Sequence, residues 1–111
     1  MRIIALTALA LVAFVSTASA QNAKSVTEEL VREISMHRDS VCPKQTMPDL
    51  CKLEFGGAII FVNGVNIQLG RMMIAIMKDD EAKEAEIRRK IDAIFDEMPT
   101  RLNKLTEKYG R

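Results

Sequence analysis

Two cysteines are the residues of this sequence best placed to do chemistry. Cys42 and Cys51 stand in the segment VCPKQTMPDLC, with Pro43 and Pro48 between them. Redox pairs usually have the tighter C-x-x-C spacing, and a metal site would need further ligands that the neighbouring residues do not supply. We therefore predict a structural disulfide, which contributes about 2–3 kcal/mol in the chain-entropy model.

The other candidates for catalysis are weak. His37 is the only histidine and stands among charged residues, so it is predicted to lie on the surface. No serine has a G-x-S-x-G setting, and Gly56-Gly57 lacks the context of a phosphate-binding loop. The carboxylates of residues 79–98 are typical of a solvated helix face. The sequence favours a protein that is not an enzyme, and it predicts neither a metal nor a cofactor.

The first twenty residues have the pattern of a secretory signal. Arg2 precedes an apolar run from Ile3 to Val15, and small residues lead to Ala20. This pattern predicts cleavage after Ala20 and export to the periplasm or out of the cell, where disulfides form. The chain is therefore divided into a signal peptide, 1–20, and one small domain, 21–111.

The predicted mature chain has no excess of charge. Of 16 basic residues in the sequence, only Arg2 lies in the predicted signal, which leaves 15 basic residues against 15 acidic ones. A nucleic-acid-binding protein needs a basic surplus on one face. Nucleic acid is therefore excluded as the main partner.

Helical periodicity is clear near both ends of the mature chain. Ser25 and Glu28 form an S-x-x-E capping box before regularly spaced apolar residues, which predicts a helix over 25–40. A third helix is predicted to begin at Asp79-Asp80 and to end at Gly110. Pro99 predicts a kink or a short break in that helix, with Thr100 as a new cap.

The middle segment 56–71, GGAIIFVNGVNIQLGR, is compatible with two structures. Asn63-Gly64 between apolar runs is a strong hairpin signal. However, Gly56-Gly57, Asn63-Gly64 and Gly70-Arg71 recur every seven residues, so they share one face of a helix but alternate between the faces of a strand. We predict a helix over 48–78, with a hairpin as the alternative.

The predicted fold is all-α: an antiparallel pair formed by the second and third helices, and an N-terminal helix tied to it by the disulfide. An α+β fold with a hairpin at Asn63-Gly64 is the alternative. Apolar residues lie all round the second helix, and two narrow amphipathic helices cannot cover such a surface. A second copy of the chain, another protein or lipid should cover the rest. The candidate residues of this interaction or packing surface are Gly57, Gly64, Arg71, Met72, Met73 and Met77.

These features predict an exported protein-binding module, such as an inhibitor, an immunity protein, a chaperone or an assembly accessory. The alternative is a membrane-associated accessory protein that uses residues 55–77, which are long enough to span a bilayer. Arg71 lies within that run, and an arginine near the centre of a span costs about 2.5–3.5 kcal/mol. Membrane contact is therefore the less favoured hypothesis.

Overall fold

The computed structural model describes residues 20–110, and within that range it contains three helices and no strand. Helix α1 spans Ala20–Val41, α2 spans Pro48–Met77 and α3 spans Glu81–Tyr109, while a short 3-10 turn at Cys42–Lys44 follows α1. The predicted all-α class is confirmed. The predicted signal peptide, apart from Ala20, lies outside the described residues.

Helix α2 continues through Asn63-Gly64, so the alternative hairpin is wrong. Val62 and Val65 are both fully buried, which a helix allows because residues three apart share a face, whereas a strand would turn them to opposite faces. A Cβ atom at Gly64 would lie 3.3 Å from Cδ1 of Ile94 in α3. The glycine therefore permits close helix packing and does not form a turn.

Helix α2 is the central element, because both α1 and α3 pack on it. Its buried residues recur at steps of three, four and, once, seven, which keeps them on one stripe of a helix. These residues are Cys51, Phe55, Ala58, Val62, Val65, Met72 and Ala75. The flanking helices add Leu30 and Ile34 from α1, and Ile87, Phe95 and Met98 from α3. One continuous core results, and it lies on one side of α2.

Helix α1 begins earlier than its sequence pattern predicts. Ser25 lies inside the helix, so the predicted capping box at that residue is wrong. Ala23 is buried, and the Thr27 hydroxyl donates to the Ala23 carbonyl at 2.8 Å. If Ser25 were the cap, the helix would start after it and Ala23 would lie outside the helix. Burial of Ala23 beside Val26 stabilises the additional N-terminal turn.

The predicted disulfide between Cys42 and Cys51 is confirmed. It joins the 3-10 turn after α1 to the first turn of α2, with the two Cα atoms 5.4 Å apart and both cysteines buried. The covalent link fixes the connection through which α1 folds back on α2. Its position in the core also keeps the sulfur atoms away from solvent.

Helix α3 has the predicted start and end but no break. The Asp80 carboxylate accepts a hydrogen bond from the Lys83 backbone N–H at 3.0 Å, and Gly110 follows the last turn with φ 90°. Helical structure continues through Pro99, so the break predicted there, with Thr100 as a new cap, is wrong. Met98 and Leu102 on either side of Pro99 are buried, and this packing holds the helix together where proline removes one backbone hydrogen bond.

The end of α1 is joined to the end of α3 through His37. This histidine is buried, which corrects the prediction of a surface position. Its Nε2 donates to the Gly110 carbonyl at 3.1 Å, and its ring meets the Phe55 ring edge to face with centroids 5.5 Å apart. Helical spacing places His37 on the same stripe as Ile34 and Val41, and this position outweighs its charged sequence neighbours.

The buried histidine makes stability depend on pH. Burial lowers the pKa of His37, so just below the ordinary histidine pKa of about 6.5 the unfolded chain binds more protons than the native one. The His37 contribution to the free energy of unfolding therefore falls as pH decreases through this window. Burial raises the pKa of Glu33, and that group acts with the opposite sign.

A His37→Gln variant isolates the contribution of the histidine. Urea unfolding at about pH 7.5 and at about pH 5 should show that the wild type loses more stability on acidification than the variant does. Glu33 is present in both proteins, so its effect cancels in the difference. An equal loss in the two proteins would contradict the role of His37.

Candidate functional site

The side of α2 turned away from the core carries a second row of apolar and small residues. Two series with a step of seven form this row, and seven residues are close to two helical turns, so the members stay on one face. We call this row the outer face, and it comprises Leu53, Gly56, Ile60, Asn63, Ile67, Gly70, Ile74 and Met77. In a heptad notation, the a positions are Leu53, Ile60, Ile67 and Ile74, and the d positions are Gly56, Asn63, Gly70 and Met77.

The large side chains of the outer face are exposed. Leu53, Ile60, Ile67, Ile74 and Met77 are 54% to 81% exposed, and Met73 at the edge is 64% exposed. Of the ten large hydrophobic residues exposed within residues 20–110, eight lie on α2. The prediction that the two flanking helices cannot cover α2 is therefore confirmed.

Two glycines of the outer face have no packing role within the chain. A Cβ atom added at Gly56 or Gly70 would meet nothing within 4 Å. Glycine in a helix interior costs about 0.5–1 kcal/mol relative to alanine. The two glycines leave shallow gaps in the row, Gly56 between Leu53 and Ile60 and Gly70 between Ile67 and Ile74.

One polar pair interrupts the apolar row at its centre. The Asn66 side chain donates to Oδ1 of Asn63 at 3.3 Å, and Asn63 itself is half-buried. The two amides partly satisfy each other in the isolated chain. Their remaining donors and acceptors are available to a partner.

The structure separates the residues that the sequence grouped together. Met73 and Met77 are exposed on or beside the outer face, and Gly57 and Arg71 are exposed along its edge. Met72 is buried in the core, and Gly64 faces α3. The last two therefore serve internal packing.

Sequence reasoning missed the four a-position residues Leu53, Ile60, Ile67 and Ile74. Their signal was present, because they recur with the same step of seven that identified the glycine pairs. In an apolar segment the seven-residue spacing does not by itself show which face of the helix is exposed. The exposed face depends on the sides of α2 on which α1 and α3 pack.

Paired charges line an open cleft between α2 and α3, beside the outer face. The cleft has a volume of about 420 Å³ and includes Glu54, Gly57, Glu97 and Arg101. Lys108 donates to Glu54 at 2.6 Å and thereby lowers the pKa of that carboxyl. The Arg101 guanidinium binds Glu97 at 2.6 Å and lies 3.8 Å from the centre of the Phe61 ring. These charges mostly satisfy one another and form a polar border to the apolar row.

Residues 20–110 have two further features that bear on metal binding and on membrane contact. This range contains no group of three or more His, Cys, Asp and Glu side chains that could hold a metal ion. By its length and composition, helix α2 is long and apolar enough to cross a membrane.

Comparison with known proteins adds no functional residue. No family model, curated protein or solved structure matches the chain.

Proposed function

We propose that this protein is an exported protein-binding module, periplasmic or secreted, which acts through the outer face of α2 and not by catalysis. The observation that carries the proposal is the row of exposed isoleucine, leucine and methionine side chains along one face of the central helix. Contiguous apolar surface rimmed by polar residues is typical of an interaction site. An inhibitor, an immunity protein, a chaperone or an assembly accessory would each use such a face.

The apolar burial available from this face is of the same order as the free-energy cost of association. Complete burial of one leucine, isoleucine or methionine side chain stabilises by about 1.5–3 kcal/mol. The five large side chains of the outer face are already partly covered, so each offers roughly two-thirds of that value, and a partner of similar composition doubles the total to on the order of 10–20 kcal/mol. This gain is comparable with the association cost of about 4–15 kcal/mol.

Two features of the chain support the proposed export. The Cys42–Cys51 disulfide is consistent with such a compartment. The sequence of residues 1–20 has the charge, apolar run and small residues of a secretory signal. Together they favour a location in the periplasm or outside the cell.

A membrane-associated accessory protein is the second candidate. The length and hydropathy of α2 support it. Asn63 on the outer face and Arg71 at its edge oppose insertion, because polar and charged side chains are costly in the hydrocarbon core. The protein-binding proposal needs no such burial of unpaired charge.

Site-specific photo-crosslinking in cells that produce the full chain tests the proposal. A photoreactive residue at Ile67, on the outer face, should form a discrete covalent adduct with a protein. The same residue at Arg89, exposed on α3 away from α2, is the matched control and should form none. Equal yields at the two positions, or no protein adduct at Ile67, would overturn the proposal.

A further inference from the structure

We propose that the occupant of the outer face is a second copy of this chain, whose α2 lies antiparallel to the first. The twofold axis crosses α2 at the level of residues 63–67. This inference rests on the proposed function of the outer face as a binding surface, and it names the partner. Three observations support it: the order of large and small residues along the row, the residues that flank the row, and the area available.

The order of residues along the outer face is self-complementary in the antiparallel direction. Antiparallel helices pair an a position of one copy with a d position of the other. With the axis at residues 63–67, Leu53 meets Met77 of the second copy, Gly56 meets Ile74, Ile60 meets Gly70, and Asn63 meets Ile67. Each glycine gap therefore receives an isoleucine, which is the large-against-small arrangement that fills an interface.

The parallel arrangement gives poorer packing. In register, it would place Gly56 against Gly56 and Gly70 against Gly70, so two layers would contain no side chains. Empty layers leave cavities, and cavities destabilise an interface as they destabilise a core. The positions of Gly56 and Gly70 therefore select the antiparallel orientation.

The residues that flank the row also match in this orientation. Half-buried Ile59 lies opposite exposed Met73 of the second copy, and Asn66 lies near Asn66 of the second copy across the twofold axis. Both pairs lie beside the row on α2, and this orientation places apolar side chains against each other and amide against amide.

The outer face is large enough for a dimer. Burial of one leucine, isoleucine or methionine removes on the order of 100 Å² of apolar surface, so the six exposed side chains of the face and its edge offer roughly 400 Å² per copy. Interfaces are about 60% apolar, so the total buried by two copies is roughly 1,300 Å². This value lies at the lower end of the range for specific interfaces.

Gly70→Leu separates self-association from folding. Nothing in the chain opposes a side chain at this position, and leucine favours a helix more than glycine does, so the isolated chain should unfold at the same or a higher temperature. In the dimer the leucine would collide with Ile60 of the second copy. The matched control is Ala93→Leu, at an exposed position of α3.

Sedimentation equilibrium of the purified mature chain measures the effect. The wild type and Ala93→Leu should dimerise alike, and Gly70→Leu should raise the dissociation constant by about 100-fold or more, because overpacked interfaces are strongly destabilised. A wild type that stays monomeric up to millimolar concentration would overturn the proposal. So would a Gly70→Leu variant that dimerises as the wild type does.

A spin label at Lys78→Cys tests the orientation, because both native cysteines are held in the disulfide. With a rise of 1.5 Å per residue, the two labels should lie about 40 Å apart in the antiparallel dimer. Labels in a parallel dimer would lie roughly 10–15 Å apart, close to the distance between packed helices. The short distance would overturn the antiparallel arrangement.

Failure of this inference is distinct from failure of the proposed function. A monomeric wild type that still forms a protein adduct through Ile67 would overturn self-association and leave protein binding in place. A monomeric wild type that floats with phosphatidylglycerol vesicles, and forms no protein adduct, would overturn both and assign the face to lipid.

Discussion

Ile67→Glu should weaken association through the outer face by more than about 100-fold, which corresponds to about 2.7 kcal/mol, while the isolated chain remains folded. Ile67 is 62% exposed in the single chain, so a glutamate there stays hydrated and should change the free energy of unfolding by less than about 0.5 kcal/mol. In the complex the same carboxylate would be removed from water near the centre of the interface. Burial of an unpaired charge is among the most costly changes an interface can undergo.

Sedimentation equilibrium and urea unfolding measure the two effects of Ile67→Glu separately. Ala93→Glu introduces the same charge at an exposed position on α3 and is the matched control. It should dimerise as the wild type does. If both variants dimerise equally well, the outer face is not the interface.

Phe55→Ala should lower the free energy of unfolding by about 3–5 kcal/mol, the range measured when a buried phenylalanine is truncated. Phe55 is 1% exposed and meets side chains of both other helices. Its ring centroid lies 5.5 Å from that of His37 in α1 and 6.0 Å from that of Tyr109 in α3. The truncation therefore leaves a cavity where the three helices meet, beside the buried disulfide.

Phe61→Ala is the control for Phe55→Ala. Phe61 is only half-buried, and its ring faces the Arg101 guanidinium near the protein surface. An exposed cation–π contact contributes about 0.5–1 kcal/mol, so this variant should lose clearly less stability than Phe55→Ala. Chemical unfolding of both variants gives the comparison, and equal losses would contradict the central role of Phe55.

The fold was predictable where burial and helical spacing agree. The apolar stripe of α3 and the step of seven in α2 both predicted helices that the structure contains. The errors occurred where a local signal was outweighed by packing. Ser25 has the sequence of a cap, yet burial of Ala23 extends α1 past it, and Pro99 is held inside α3 by buried neighbours. Local propensities are worth about a kilocalorie each, which the burial of one large side chain exceeds.

The candidate site was predictable in kind but not in position. Composition alone showed that α2 has more apolar surface than two amphipathic helices can cover. It did not show which stripe remains open, because that depends on the sides of α2 on which α1 and α3 pack. Gly64 and Gly70 have the same sequence signature, and only the structure shows that the first faces Ile94 while the second faces open space.

Methionine oxidation tests most directly whether the outer face is covered by another molecule. Hydrogen peroxide converts exposed methionines to sulfoxides, and the rate at each residue is measured by mass spectrometry over a range of protein concentrations. Met77 on the outer face and Met36 on α1 are 81% and 60% exposed in the single chain, whereas Met72 is buried. We expect Met77 to become protected as the concentration rises, while Met36 stays reactive and Met72 unreactive throughout. Oxidation of Met77 at least as fast as that of Met36 at every concentration would contradict coverage of the outer face.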